Sequence, residues 1–186
     1  MIKHQEQRVA VLIDVQNMYY SARNLYNAKV NFGAILESVV AGRKLIRAIA
    51  YVVSTKTGEE KPFFEALTKI GIETKEKELQ EFFGGAKKAD WDVGLAIDAV
   101  RLAELNDVII IVSGDGDYYP LYEYLKGHGR QVEVVAFRET TSSKILDIVD
   151  DFTNLSDDKE RFLIGLAPKR RTVLRGRMRI PLKSIK

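Results

Sequence analysis

The sequence predicts an α/β fold, a three-layer α/β/α sandwich with a mainly parallel sheet. The first observation behind this prediction is that short apolar runs rich in β-branched residues alternate with segments of helical periodicity. The second is that the clearest of these runs are apolar at consecutive positions, as in parallel strands that are buried on both faces. Such alternation is typical of strand–helix–strand units with right-handed crossovers.

The individual elements follow from local patterns. In chain order, the predicted strands are 8–14, 45–54, 72–79, 108–112 and 131–137. The predicted helices are 17–27, 32–41, 63–70, 90–106, 118–126 and 142–149. Pro62 suits the first turn of the third helix, and Gly71 ends that helix. Five consecutive apolar β-formers make 108–112 the clearest strand, whereas 72–79 alternates only loosely and predicts an edge strand. Residues 84–88 predict a flexible basic loop.

Length and composition limit the kinds of protein that this chain can form. Its 186 residues suffice for one domain with a core, and no apolar run approaches the roughly 20 residues that span a bilayer. The N-terminal residues lack the apolar stretch of a signal peptide, so we expect a cytoplasmic protein. With no cysteine and only His4 and His128 as histidines, disulfides, zinc–thiolate sites, Fe–S clusters and multi-histidine sites are excluded. A bound metal would be held by oxygen, which favours Mg²⁺ or Mn²⁺.

The net charge of +3 combines an acidic body with a basic tail. Residues 166–186 contain eight Lys or Arg residues and no acid, whereas the other 165 residues hold 21 basic and 26 acidic side chains. We therefore predict a domain at 1–165 and a tail that suits a polyanionic partner such as RNA. The tail arginines that could contact phosphate are Arg170, Arg171, Arg175, Arg177 and Arg179. Alternatively, the tail rests as a strand on the acidic body or forms a solvated, disordered end.

Two of the predicted strands lead into carboxylates. Asp14 is the last residue of the first strand, and strand 108–112 is followed by Asp115 and Asp117. In open parallel sheets the ligand site lies beyond the carboxyl ends of the strands, where the strand order reverses. If the two strands are neighbours there, these acids share one crevice. Gly114 and Gly116, on either side of Asp115, would let the backbone turn sharply between the acids.

Each acid also has a simpler interpretation. An acid after a strand often caps a helix, because its oxygen accepts an early backbone N–H, and this applies above all to Asp117. Asp92 and Asp98, on the predicted helix 90–106, could simply face solvent. Asp14 is harder to explain in this way, because a carboxylate at the end of a buried strand is costly without a partner. Gathered in one crevice, the acids would raise one another's pKa, which a hard divalent cation relieves.

Three segments resemble one family in the right order. They read Asp-Val-Gln-Asn at 14–17, Lys-Ala-Asp-Trp-Asp-Val-Gly-Leu-Ala-Ile-Asp at 88–98 and Ser-Gly-Asp-Gly-Asp-Tyr at 113–118. The combination resembles the NYN domain, and more closely its LabA-like branch, a relative of the PIN-domain nucleases. The resemblance covers about residues 8–155. It implies a PIN-like Rossmannoid fold and metal-dependent ribonuclease activity, in which the ion activates water and stabilises the leaving oxygen.

The resemblance also implies roles for individual residues. The acids that would hold Mg²⁺ or Mn²⁺, directly or through water, are Asp14, Asp92, Asp115 and Asp117. Asp90 could replace Asp92, but the residues that follow Asp92 match the family pattern better. Asn17 would orient the first acid or bind the scissile phosphate. Ser113 and Asp98 would support the ligands, although Ser113 could equally serve the turn.

Aromatic and basic residues near these motifs each have two interpretations. Tyr19 and Tyr20 could stack on bases, but we expect one ring to pack in the core and the other to lie on the surface. Trp91 is expected to pack against the sheet rather than on substrate. Lys87 and Lys88 could bind phosphate or simply belong to an exposed loop. The aromatic residue after the last acid is tyrosine where phenylalanine is frequent, and we expect that difference to have no effect.

The leading functional prediction is a Mg²⁺- or Mn²⁺-dependent ribonuclease, most simply an endoribonuclease. The alternative is a non-catalytic RNA-binding or regulatory protein that keeps the fold and the acids, and a homodimer is compatible with either. Other Rossmannoid phosphate enzymes fit less well. A haloacid-dehalogenase-type phosphatase needs an acid where Gln16 stands, and a Toprim-type site needs glutamate where Asp14 stands.

Overall fold

A computed structural model describes residues 3–55, 57–81, 87–88 and 90–166 of the chain. The strands are β1 Arg8–Asp14, β2 Lys29–Val30, β3 Lys44–Ser54, β4 Glu73–Glu78, β5 Gln80–Glu81, β6 Lys87–Lys88, β7 Val108–Val112, β8 Gln131–Ala136, β9 Asp151–Asn154 and β10 Leu163–Ile164. The α-helices are α1 Val15–Tyr26, α2 Phe32–Val40, α3 Lys61–Lys69, α4 Asp92–Ala103, α5 Tyr119–Gly127, α6 Ser143–Ile148 and α7 Lys159–Phe162.

Six strands form one sheet in the order β4-β3-β1-β7-β8-β9, and every neighbouring pair is parallel. From β1 the chain builds outward through β3 and β4 on one side, then returns to build β7, β8 and β9 on the other. The strand order therefore reverses between β1 and β7. This is the arrangement in which a crevice opens at the carboxyl ends of the two central strands.

Helices cover both faces of the sheet, so the predicted three-layer α/β architecture is confirmed. On one face, alternate β1 residues such as Val9, Val11 and Ile13 pack with α1, α2, α3 and α7. On the other face, Ala10 and Leu12 pack with α4, α5 and α6. Because successive strand residues point to opposite faces, burial of both faces requires an uninterrupted apolar run.

Several local details of the structure differ from the prediction, among them short elements such as β2, β10 and α7. Strand β9 was not predicted, because its sequence Asp-Phe-Thr-Asn is polar and its four residues are only half-buried at the sheet edge. The predicted loop 84–88 is wrong at its end, since Lys87–Lys88 pairs antiparallel with Gln80–Glu81. The tail beyond Leu166 lies outside the described residues, and so do the interpretations that depend on it.

A buried ion pair connects α2 to the sheet at the end opposite the crevice. Arg43, just after α2, is 4% exposed, and Glu133 on β8 is 2% exposed. The two guanidinium Nη atoms donate to the two carboxylate oxygens of Glu133 at 2.7 and 2.9 Å. The guanidinium also donates to the carbonyl oxygens of Val39 and Val40 at 2.6 and 3.2 Å. Such bidentate geometry is what a buried pair needs to offset its desolvation.

Within the described part of the chain, no helix combines the length and the apolar character needed to cross a bilayer.

Candidate active site

The carboxyl ends of β1 and β7 open into a pocket of about 290 Å³. Asp14 ends β1, and the segment after β7 carries Asp115 into the same pocket. The described residues that line it are Asp14, Gln16, Asn17, Tyr20, Ser21, Asn24, Tyr51, Asp90, Trp91, Asp92, Asp115 and Thr140. Four of them carry carboxylates and none carries a cationic side chain. The pocket is therefore a region of concentrated negative charge.

Asp14 is held at the start of α1 by both of its carboxylate oxygens. Oδ1 accepts the backbone N–H of Asn17 at 3.0 Å and so caps the helix, and Oδ2 accepts the Ser113 hydroxyl at 3.2 Å. Burial raises the pKa of the Asp14 carboxyl, and the charges of Asp92 and Asp115 raise it further. Asp14 thus serves as a helix cap, and its charged form is disfavoured within the pocket.

The segment after β7 is organised by the buried Ser113. The Asp115 N–H donates to the Ser113 hydroxyl at 3.3 Å, and Asp115 Oδ1 accepts the N–H of Asp117 at 3.0 Å. Asp115 therefore caps the short 3₁₀ turn Gly116–Tyr118, whereas the sequence pattern predicts a capping role above all for Asp117. Asp117 itself is exposed and lines a neighbouring pocket with Lys144, although its charge still raises the pKa of Asp92.

Asn17 connects α1 to the segment after β7. Its side-chain oxygen accepts the backbone N–H of Gly114 at 3.1 Å, while its own backbone N–H donates to Asp14 Oδ1. The side chain also lines the pocket. Asn17 therefore orients the loop of Asp115 as well as the first acid.

Asp92, the first residue of α4, completes the acidic group from a third element. Burial raises the pKa of its carboxyl, and the neighbouring charges of Asp90, Asp115 and Asp117 contribute. The Tyr118 hydroxyl donates to Asp92 Oδ1 at 3.1 Å and lies 3.5 Å from Asp14 Oδ2. The structure gives this tyrosine a contact that phenylalanine could not make, because the hydroxyl connects two acids from different elements.

Asp98 does not reach the pocket. Its Oδ2 accepts the Tyr51 hydroxyl at 2.7 Å and the Lys75 ammonium at 2.6 Å. Since Tyr51 lines the pocket, Asp98 contacts the site through that ring.

Trp91 forms one wall of the pocket. Its Nε1–H donates to the carbonyl oxygen of Val52 at 2.9 Å, and its ring lies 5.4 Å from that of Tyr51. Packing against the sheet, as predicted, thus coexists with a position at the pocket. Asp90 also lines the pocket, so both candidate acids of this segment are present. The side chains of Lys87 and Lys88 lie outside what the structure describes.

Both the sequence and the fold of this chain are similar to those of known proteins. The NYN domain family model matches residues 8–156. The chain belongs to the NYN domain family. It is 24% identical over 161 residues to the low amplitude and bright protein LabA of Synechococcus elongatus, covering 81% of this chain and 84% of that protein. A crystal structure of a protein of unknown function from Vibrio parahaemolyticus superposes with a TM-score of 0.79 at 30% identity, covering 88% of this chain and all of the other.

Two exposed tyrosines on α1 of this NYN domain contradict one prediction. We expected one of the rings to be buried, but Tyr19 is 44% exposed and Tyr20 is 51% exposed. Only Tyr20 is among the described residues that line the pocket. The helix places the two side chains about 100° apart, and both rings remain largely exposed.

Gly114 is required for a close approach between chain segments. A Cβ at this position would lie 2.8 Å from Thr141 Oγ1 and 3.2 Å from the Thr140 carbonyl oxygen. The reason for glycine is therefore space, and not the turn conformation predicted from the sequence, since Gly114 does not have a positive φ.

Gly114→Ala is expected to lower stability by about 1–3 kcal/mol, because backbone atoms must move to admit the methyl group. Thermal unfolding followed by circular dichroism measures this. Gly127→Ala is the matched control, since nothing lies within 4 Å of its added Cβ, and it should leave the melting temperature unchanged or slightly raised. Equal melting temperatures for the two variants would contradict the packing argument.

Proposed function

We propose that this NYN-domain protein is a Mg²⁺- or Mn²⁺-dependent ribonuclease that hydrolyses phosphodiester bonds within RNA. One observation carries the proposal: Asp14, Asp92 and Asp115 come from three separate elements, line one pocket and interact electrostatically. Structural ion pairs would bring opposite charges together, whereas this arrangement gathers like charges. Membership of the NYN family, with its nuclease relatives, supports the same conclusion.

The donor set fits a hard divalent cation. As their side chains lie, the described residues form no group of three or more His, Cys, Asp or Glu that could hold a metal ion together. Mg²⁺ does not require one, because it is usually bound through one or two carboxylates, several waters and substrate phosphates. The Tyr122 hydroxyl is consistent with a hydrated site. It is buried, has no hydrogen-bond partner among the described residues, and has its pKa raised by burial and by the charges of Asp115 and Asp14.

In this reaction the residues of the chain would have the following roles. Asp14, Asp92 and Asp115 would hold the ion, directly or through water, and the bound ion would polarise the phosphate and lower the pKa of water. Ser113 and the capping N–H fix the Asp14 carboxylate, so it needs no reorganisation when substrate binds. Tyr118 holds Asp92 Oδ1 and leaves the other oxygen without a hydrogen bond from the described residues. The exposed Asp117 would position the attacking water.

The direct test is cleavage of single-stranded RNA by the full-length protein with Mg²⁺ or Mn²⁺, with and without chelator. A circular RNA distinguishes cutting within the chain from digestion at its ends. We expect metal-dependent cleavage that is lost in Asp115→Asn and retained in Glu123→Gln, an exposed acid on α5 outside the pocket. No cleavage by the wild type, or full activity of Asp115→Asn, would contradict the proposal.

Thermal melting tests the metal site without RNA. Because a ligand that binds only the folded state must stabilise it, Mg²⁺ or Mn²⁺ at millimolar concentration should raise the melting temperature of the wild type. At a concentration 100 times the dissociation constant, the gain is about 2.7 kcal/mol. The rise should disappear in Asp115→Asn. Equal shifts in both proteins would place the ion elsewhere.

The described side chains, as they lie, form no group of three that could hold a metal ion together, and this favours one second candidate, an RNA-binding protein without catalytic activity. That function predicts RNA binding without turnover at any metal concentration. Removal of residues 166–186 should then weaken binding and reduce its salt dependence, because phosphate contacts release counterions.

A further inference from the structure

One stripe of α1 lines the pocket and plays no part in holding the acids. Gln16, Tyr20 and Asn24 are spaced four residues apart, so their side chains lie on one face of the helix. All three line the pocket of Asp14. Tyr20 stands six residues beyond Asp14, which places it about 9 Å further along the helix axis.

The Tyr20 ring is presented outward and supported from one side. It is 51% exposed, and its hydroxyl has no hydrogen-bond partner among the described residues. The Tyr19 ring contacts it in a T-shaped arrangement with centroids 5.4 Å apart, which covers at most one of its two faces. Tyr19 is in turn fixed by Arg23, whose Nη1 donates to the Tyr19 hydroxyl at 3.1 Å. A flat aromatic surface is therefore available beside the acids.

The chemistry of the stripe fits a nucleobase better than a phosphate. None of its three side chains carries a charge, whereas phosphates are bound by cations and backbone N–H groups. The amides of Gln16 and Asn24 have no hydrogen-bond partners among the described residues, and each offers a donor and an acceptor, as the edge of a base requires. A volume of about 290 Å³ is at the lower limit for ligand pockets, which suits one small planar group.

We propose that Tyr20 stacks on an unpaired nucleobase next to the scissile phosphate, with Gln16 and Asn24 contacting the edge of that base. The position next to the scissile phosphate rests on the proposed function, whereas the base-binding site rests on the arrangement of Gln16, Tyr20 and Asn24. The substrate class is single-stranded RNA, because a paired base is stacked between its neighbours and cannot reach the ring. Tyr20 would therefore contribute affinity for single strands and none for duplex.

The test is binding of short single-stranded RNAs to the full-length protein, measured by fluorescence anisotropy at low salt with chelator present to prevent turnover. Tyr20→Ala should weaken binding about 5- to 30-fold, in the lower part of the range for a stacked base. Tyr20→Phe keeps the ring and should bind within about twofold of the wild type. The control is Tyr124→Ala, which removes a ring of similar exposure on α5, outside the pocket.

RNAs that lack one base at a single position sharpen the test. At one position, removal of the base should weaken binding to the wild type. The same removal should not weaken binding to Tyr20→Ala any further, because the ring and the base form one contact. A loss of stability alone would not produce that pattern. Wild-type affinity in Tyr20→Ala, equal losses from the missing base in both proteins, preference for duplex, or no single-strand binding at all would each overturn the proposal.

The base site and the catalytic proposal can fail separately. Single-strand binding that depends on Tyr20, without cleavage on addition of metal, would refute the nuclease and support the base site. Metal-dependent cleavage whose KM and kcat are unchanged in Tyr20→Ala would refute the base site and support the nuclease.

Discussion

Asp14→Asn is expected to reduce metal-dependent RNA cleavage at least about 100-fold, the scale on which a lost electrostatic contact to a transition state is felt. The same variant should be no less stable than the wild type when metal is absent. Asparagine retains an oxygen for the Asn17 N–H, and it is as good a helix cap as aspartate. It removes the buried charge whose pKa is raised by burial and by the neighbouring acids.

The raised pKa of Asp14 also predicts the direction in which the stability of the metal-free protein changes with pH. Because the folded-state pKa of Asp14 is raised above its unfolded value of about 3.9, the folded protein binds more protons than the unfolded chain between the two values. The metal-free wild type should therefore gain stability from this group as the pH falls from 7 through the raised pKa. Asp14→Asn should lack that part of the gain.

Two measurements on the same samples check the Asp14 prediction, namely RNA cleavage with Mn²⁺ and urea unfolding with chelator at several pH values. Glu123→Gln is the control for removal of an acid and should match the wild type in both. A variant that loses both activity and metal-free stability would indicate that Asp14 serves mainly as a cap. Retained cleavage would exclude Asp14 from catalysis.

Glu133→Leu is expected to destabilise the protein by about 3–5 kcal/mol, because it leaves the Arg43 guanidinium buried without a counter-charge. Arg43→Met should cost less, since Lys3 Nζ remains 3.4 Å from a Glu133 oxygen. The double variant should recover most of the loss, because two apolar side chains need no desolvated charge. Such non-additivity is what a direct contact predicts.

Urea unfolding of the two single variants and the double variant measures the coupling between Arg43 and Glu133. Glu37→Gln serves as the control, since it removes an exposed ion pair with Arg161 at 3.4 Å, which should be worth less than about 1 kcal/mol. Additive losses in the double variant would show that the two residues stabilise the fold independently.

The position of the acids could be predicted because it follows from the order of the strands. The switch-point rule brings Asp14 and Asp115 together on condition that their strands are neighbours, and the structure shows that β1 and β7 are. Asp98 was placed near the site by motif alone. It lies six residues after Asp92, so the helix turns it well away from the pocket, towards Tyr51 and Lys75.

Other features depend on contacts between distant residues, which no local pattern reveals. In the sequence pattern, tyrosine at position 118 cannot be distinguished from phenylalanine, because both are aromatic. Only the folded chain shows that the Tyr118 hydroxyl donates to Asp92. Glu133 is conspicuous as an acid in an apolar strand, yet its partner Arg43 is 90 residues away. Exposure of both Tyr19 and Tyr20 depends on how α1 rests on the sheet.

The position of Trp91 has a spectroscopic consequence. It is the sole tryptophan of the chain, and its indole lies in the wall of the acidic pocket, hydrogen-bonded to Val52 and packed on Tyr51. Intrinsic fluorescence excited at the indole therefore arises from this one place. Occupation of the pocket by an ion or a nucleotide would change the polarity around the emitting ring, so the unlabelled protein carries its own optical reporter of binding.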